Sequence, residues 1–570
     1  MTDDVRVADY QRLRGKDWSG IEFTAVGLLT TLLLLCLIGW LDNVHINTTN
    51  GLWKSVDVND WKAGSPGARL DPSNYLYFPT MAALCRFLDW LGIYRDETWK
   101  QMAVANTPFA GIAVASVFAL IRNLTGQLYA AVAAAVFHLG SAFFLSLAVS
   151  NEDIMPSYSL VLVAMVLAAV WFDAPSVARV ASVSAIFTLG WLTEWRLIFP
   201  ALPPLILALA LSSGSIRRRT GLIFWFLLVM VAVAFLVVKC TDGHPGAVGL
   251  SGVFWTGKGV GTGWGGLSLE KLNLLPAGMG EYLLGGANLP VARLTGPLGK
   301  EWSGAFAFEL LLLLTLSLLL WRRRNEAKVR AAAMVFLGAL VAGEVMNAYS
   351  QPSDPQMQLN VMPWLTLAVG LVLADILRSR YFQRAAIPAL ALSILPLAYN
   401  VHVFAAMRGR DGLMTAAIQQ IDNLTDRTRA VFVYTGFEGI VTWQYALWLR
   451  HGQRPRIWGL GLCELGTAPQ LQPEFKWFAL FAPIIYHPEL TNEDYLAAIK
   501  TELNCAFDKG YRVIAGPVWA YSTQQLADSM TELNARNRAQ ALYAMFQTYR
   551  ATPIGPPINS GGVYFEISRP

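Results

Sequence analysis

Eleven apolar runs set the limits on what this chain can fold into. They lie at about 20–41, 106–123, 127–148, 156–173, 177–194, 197–213, 220–239, 303–321, 331–350, 360–377 and 385–406. Each is close to the ~20 residues that a helix needs to cross a hydrocarbon core. Lipid offers no partner to a backbone N–H or C=O, so runs of this kind must be helical. Composition agrees: 54% of the 570 residues are hydrophobic and 15% charged, against ~25% charged in soluble domains. The expected fold class is a polytopic α-helical membrane protein. The first run is long and lacks a small-residue cleavage site, so it reads as a retained anchor.

Basic residues choose the sides. Arg6, Arg12, Arg14 and Lys16 precede the first run, Arg217–Arg219 follow the sixth, and Arg322–Arg324 with Lys328 and Arg330 follow the eighth. Arg378, Arg380 and Arg384 follow the tenth, while Arg122 and Arg179 occupy the remaining turns. An N-in chain with eleven spans puts all of these on the cytoplasmic face. The net charge of +5 sits mostly in these loops and reads as orientation, not as affinity for nucleic acid. The outer face then receives the first loop 42–105, the turns Asn151–Asp153 and Glu194–Arg196, the Gly-rich loop 240–302 and the turn Ser350–Gln358. Asn74–Gly92 is apolar yet interrupted by Pro79, Arg86 and Asp89, so it is expected to lie in the interface, with Tyr75, Tyr77 and Trp90 at headgroup level.

After about residue 407 the pattern changes. Strands are expected at 429–434, 475–481, 511–515 and 562–567, and helices at 439–450, 491–509 and 522–548, with Thr491 as N-cap and Gly510 as the stop. The division is thus a membrane domain, 1–406, and an exported α/β domain, 407–570. Cys463 and Cys505 fall in the latter, where either a disulfide or two buried thiols is admissible. With five Cys, no CxxC and no His at ligand spacing, a zinc or redox centre is not indicated.

The chemistry-bearing residues gather on the outer side. Asp42 closes the first span, where a carboxylate is expensive and well placed to take a proton from a substrate at the membrane surface; the alternative is an interfacial Asp that only stops the helix. His45 reads as its hydrogen-bonding neighbour. Glu152 and Asp153 offer oxygens to hydroxyls or to a divalent ion such as Mg, Mn or Ca; the alternative is a solvated acidic pair at a helix start. Arg196 can grip a phosphate bidentately or snorkel. Lys258 in the Gly-rich loop is a second phosphate candidate, and Gln356 and Gln358 offer amides to sugar hydroxyls.

This arrangement resembles the GT-C glycosyltransferases that use lipid-phosphate-linked sugars, among them the protein O-mannosyltransferases and the aminoarabinose transferase. Leu41-Asp42-Asn43-Val44-His45 is similar to the Asp-Glu-x-His stretch of the O-mannosyltransferases, with Asn43 in place of the second acid. Arg122-Asn123-Leu124-Thr125-Gly126 is similar to an Arg-x-Leu-x-Gly turn of that superfamily. Asn151-Glu152-Asp153 stands at its second acidic turn, and Leu189–Thr193 resembles its Gly-hairpin. The resemblance covers about 15–215 and rests on order and spacing. It implies a polyprenyl-phosphate sugar donor, a glycan, lipid or protein acceptor, Asp42 as general base, and residence in a bacterial inner membrane with the C-terminus periplasmic. A polar-lipid flippase would instead carry internal repeats and mid-membrane charges. A glycan ligase or polymerase would share the outer-face chemistry without the first-span Asp.

Overall fold

The computed structural model describes residues 18–44, 50–65, 68–71, 74–95, 97–172, 174–194, 198–254, 267, 269–284, parts of 307–326, 327–349, 358–359, 361–379, 386–406, 408–409, 430–434, 475–479, 490–528, 538–555 and 563–569. Ten of the eleven apolar runs are helices. Among the described residues, and leaving aside the one short turn of helix Leu250–Phe254, the helices of the membrane part are in chain order α1 (Trp18–Leu41), α2 (Asn50–Ala63), α3 (Tyr77–Trp90), α4 (Thr98–Thr125), α5 (Leu128–Gly140), α6 (Ala142–Val149), α7 (Ile154–Trp171), α8 (Val177–Thr193), α9 (Ile198–Ala210) and α10 (Ile216–Cys240). They continue with α11 (Leu269–Leu284), α12 (Ala327–Tyr349), α13 (Met362–Arg378) and α14 (Ala386–Ala405). The eighth run falls mostly outside the described residues. Among the described residues five helices are long and apolar enough to cross a bilayer alone, and the bent pair α5–α6 makes a sixth.

That bend is the first departure from the sequence expectation. The run 127–148 is two helices meeting at 72° around Ser141. At the break α14 comes close: a Cβ on Gly140 would lie 2.6 Å from the Leu397 backbone nitrogen, so only glycine fits at this approach. Two carbonyls at the break, those of His138 and Gly140, are satisfied within the protein, as lipid demands, and Asn400 also ties in the end of α11. Ser141 donates to the His138 carbonyl at 2.8 Å, and Asn400 Nδ2 donates to the carbonyls of Gly140 and Leu283 at 2.7 and 2.8 Å.

One continuous core runs through α4, α5, α6, α7, α8, α12 and α13. α1 packs along α4 and turns its remaining surface outward, with Leu28, Leu29 and Leu32 exposed, as a helix at the rim of a bundle does in lipid. The turns separate into two ends. At one, Arg122 pairs with Glu22 at 3.2 Å, Arg378 reaches the Thr125 carbonyl, and Arg218 reaches the Pro175 carbonyl at 2.9 Å. At the other, the Asn151 N–H donates to the Val44 carbonyl (3.3 Å), Leu76 to Leu192 (2.8 Å), and Leu70 to Pro245 (2.8 Å). The basic turns and the acidic turns are therefore at opposite ends. Gly409, just beyond α14, donates to the Leu41 carbonyl at 2.7 Å, so the C-terminal part begins at the acidic end.

The first loop holds α3 where the interfacial segment was expected, with Phe87 and Trp90 stacked at 5.7 Å and both exposed. It also holds α2, which the sequence did not announce. Ser55, Asp57 and Asp60 are buried alongside Val56 and Val58, so the inward face is half polar and gives no clean hydrophobic stripe.

Among the described residues the C-terminal part forms a five-stranded sheet in the order β2-β1-β3-β5-β4. β1 (Ala430–Tyr434), β2 (Phe475–Ala479) and β3 (Arg512–Ala515) run parallel, while β5 (Tyr564–Ser568) and β4 (Arg550–Ile554) are antiparallel. A helix, Asn492–Asp508, carries the expected Thr491 cap, whose Oγ1 accepts the Asp494 N–H at 3.1 Å. The expected helix 522–548 is instead two short pieces, Thr523–Asp528 and Ala539–Phe546, within the described residues. The edge strand β4 escaped the sequence because Arg-Ala-Thr-Pro-Ile is exposed along most of its length and contains a Pro, tolerated only at an edge. Cys505 is disulfide-bonded; Cys463 and the expected helix 439–450 lie outside the described residues.

Candidate functional site

The two acidic turns meet at one end of the bundle. The first follows α1: Asp42 continues the helix by an N–H donated to Ile38 (3.0 Å) and then adopts φ +44°. A left-handed Asp is uncommon and persists where its surroundings enforce it. The consequence is directional: Asn43 and Val44 turn inward and are buried, while the Asp42 carboxylate stays 67% exposed, facing Lys100 Nζ at 3.4 Å. Lys100 opens α4, bonds Glu97 at 3.0 Å and lies 5.5 Å over the Tyr94 ring.

The second turn, Ser150–Asp153, joins α6 to α7 and is wholly buried, Glu152 and Asp153 at 1% exposure each. It is thus not a solvated acidic pair, and Asp153 does not cap α7 by its side chain. Its shape is held from three sides. Asn106 on α4 donates Nδ2 to the carbonyls of Ser150 (2.9 Å) and Glu152 (2.7 Å). Asn151 donates its backbone N–H to Val44 and its side chain to Ser55 Oγ on α2 (3.2 Å). Tyr77 on α3 donates its hydroxyl to the Glu152 carbonyl at 3.5 Å. Burial, then the nearby Asp153 and Glu152, push the Tyr77 phenol well above its ordinary pKa, so it stays a neutral donor. α2 sits tight against the turn: a Cβ on Gly51 would fall 2.0 Å from Asn151 Oδ1.

Lys54 of α2 completes the arrangement. Its ammonium lies 3.0 Å from Asp153 and 5.2 Å over the Phe78 ring, and the side chain is 17% exposed. A mostly buried cation seated on a buried carboxylate is a pair that is costly to break from one side. The hairpin carrying it is pinned by Lys62–Asp89 at 2.7 Å and by Gln101 donating to Asp89 at 2.6 Å. Burial raises the Asp89 pKa, but the Lys62 and Gln101 hydrogen bonds outweigh it and hold the carboxyl below its ordinary value. Beside Tyr77 an apolar groove of about 180 Å³ runs between Leu76, Tyr77 and Met81 of the first loop and Phe109, Pro156 and Leu189 of the spans.

Of the expected site residues, Asp42, Glu152 and Asp153 are brought to one end of the bundle, through the Asn151–Val44 hydrogen bond. Gln358 is buried at the entry to α13, its carbonyl accepting the Val361 N–H at 2.9 Å. His45, Arg196, Lys258 and Gln356 lie outside the described residues. Lys54, Lys100, Tyr77 and Asn106 were not singled out from sequence; isolated lysines and amides in loops carry no spacing signal. For a divalent ion the fit is poor: Lys54 already faces Asp153, and among the described residues no three His, Cys, Asp or Glu side chains come together to hold a metal. No step below is routed through one.

No protein-family model matches the chain, and no curated protein matches it in sequence. Solved structures do. ArnT from Cupriavidus metallidurans in the apo state superposes over 95% of this chain and 98% of its own, with TM-score 0.51 and 12% identity. The Archaeoglobus fulgidus oligosaccharyltransferase, in a complex with Zn and sulfate, matches over 95% of this chain and 73% of its own, with TM-score 0.52 and 13% identity. The fold is GT-C. A further ArnT structure, bound to undecaprenyl phosphate, matches at TM-score 0.49 and 12% identity over 96% of this chain and 97% of its own.

Proposed function

We propose that this chain is a membrane glycosyltransferase that moves a sugar from a polyprenyl-phosphate donor to an acceptor hydroxyl on the extracytoplasmic face. The observation that carries the reading is the junction of the two acidic turns, with Lys54 on Asp153, at the end of a GT-C bundle opposite its basic turns. An apolar groove beside that junction suits a substrate delivered on a hydrocarbon chain.

The chemistry needs a base, a cation and a groove. Asp42, exposed at the mouth, takes the proton of the acceptor hydroxyl as its oxygen attacks the anomeric carbon. The bond from that carbon to the phosphate oxygen breaks, and polyprenyl phosphate leaves with the electron pair. Lys54 neutralises the charge that grows on the departing phosphate, with Arg196 and Lys258 as further phosphate contacts. Glu152 and Asp153 orient hydroxyls, His45 steadies Asp42, and Gln356 and Gln358 bind the sugar.

Purified protein in detergent with a panel of polyprenyl-phosphate sugars should consume one of them and release polyprenyl phosphate. A panel left intact in the presence of a lipid, glycan and protein acceptor set would overturn the reading. The orientation has its own check: a reporter active only in the periplasm, fused after Pro570, should be active. A cytoplasmic signal there would put both acidic turns on the wrong side.

A further inference from the structure

Above the helix break, three polar side chains form a directed chain inside the apolar bundle. His138, fully buried in the last turn of α5, contacts Thr366 Oγ1 of α13 through Nδ1 at 3.1 Å and the Tyr158 hydroxyl of α7 through Nε2 at 3.2 Å. Thr366 has one proton, and it is committed to the Met362 carbonyl at 2.9 Å. Its oxygen therefore accepts from Nδ1–H. With the imidazole neutral, Nε2 is left as an acceptor and Tyr158 O–H donates to it. The order is Tyr158 to His138 to Thr366 to the Met362 carbonyl. The rings add rigidity: His138 and Tyr158 lie parallel within 10°, and Phe144 of α6 packs on His138 at 4.6 Å.

The placement of the three partners gives the chain a role beyond packing. Tyr158 lies five residues past Asp153, about 7.5 Å along α7. His138 sits at the break from which α6 runs eight residues into Ser150. Thr366 lies one turn inside α13, which opens on Gln358 and Leu359. The helix that leaves the acidic turn, the helix that leads toward it from beyond the break, and the root of the Gln358 turn thus share one hydrogen-bonded unit. Polar groups at this depth are costly in lipid, and phenylalanine, leucine and valine would fill the same space without them.

We propose that His138 is a positioning residue: with Tyr158 and Thr366 it locks the Ser150–Asp153 turn and the Gln358 turn into one fixed relation. Its consequence for catalysis rests on the glycosyltransferase reading above; the mechanical coupling does not.

The experiment uses the full-length protein in nanodiscs and the variants H138F, Y158F and the double variant. Y158F removes one oxygen and keeps the ring packing, so it decides the matter if H138F fails to fold. Hydrogen–deuterium exchange should quicken in both the Ser150–Asp153 and Gln358–Val361 segments, with the basic turns unchanged. With the donor found above, kcat should fall about tenfold while KM stays within about twofold, because the group lost touches no substrate. The double variant should be no worse than either single one, since breaking the chain once breaks it all. Wild-type exchange in the Gln358 segment, an unchanged kcat, or additive losses would each overturn the proposal. If the wild type transfers no sugar, the exchange result still decides the coupling, and only the glycosyltransferase reading falls.

Discussion

Replacing Asp42 by asparagine should lower transfer about 100-fold or more while leaving donor affinity unchanged. The substitution keeps size and hydrogen-bonding capacity and removes only the ability to take a proton, and a placed general base contributes ~10²–10⁴ in rate. Asp42 sits at φ +44° with its carboxylate 67% exposed beside Lys100, and asparagine tolerates the left-handed region as well as aspartate does. The backbone turn should therefore survive, and thermal unfolding should not move. Steady-state kinetics on the purified variant separates the cases: a fall in kcat with constant KM supports the assignment. Near-wild-type turnover, together with a dead Asp153→Asn variant, would move the base to the second acidic turn and leave the reaction class intact.

Much of this end of the protein was legible in the sequence because lipid makes helices obligatory and positive charge sorts the loops. The acidic residues at 42, 152 and 153 stood out as charges at span ends, and the structure joins their turns through the Asn151–Val44 hydrogen bond. What the sequence withheld was the second half of each charge pair. Lys54 lies 99 residues from Asp153, and Lys100 lies 58 from Asp42; such separations carry no periodic signature. Helix α2 was missed because it buries Ser55, Asp57 and Asp60, with Ser55 against the turn, so its inward face is not apolar. The break at Gly140 was equally invisible. A glycine and a serine within an apolar run look like part of a span until the approach of Leu397 is known. In the C-terminal sheet the strands that alternate or bury were found, and the exposed edge strand β4 was not.

The second large effect concerns Lys54. Lys54→Met should sharply weaken donor binding and also lower stability, because it strips a cationic partner from a carboxylate that is 1% exposed. Breaking a buried pair from one side costs ~3–5 kcal/mol, since the remaining charge stays desolvated. The two consequences can be pulled apart. Adding Asp153→Asn removes the stranded charge, so the double variant should regain most of the lost thermal stability. It should not regain donor affinity if Lys54 is the cation that meets the phosphate. Lys54→Arg should keep the charge but misplace it, since the planar fork does not fit where a compact ammonium sits between Asp153 and the Phe78 ring; partial binding is the expected result. Calorimetric titration with a polyprenyl phosphate reads affinity without requiring turnover. Wild-type affinity in the stability-restored double variant would reduce Lys54 to a structural counter-ion and leave Arg196 and Lys258 as the residues that hold the phosphate.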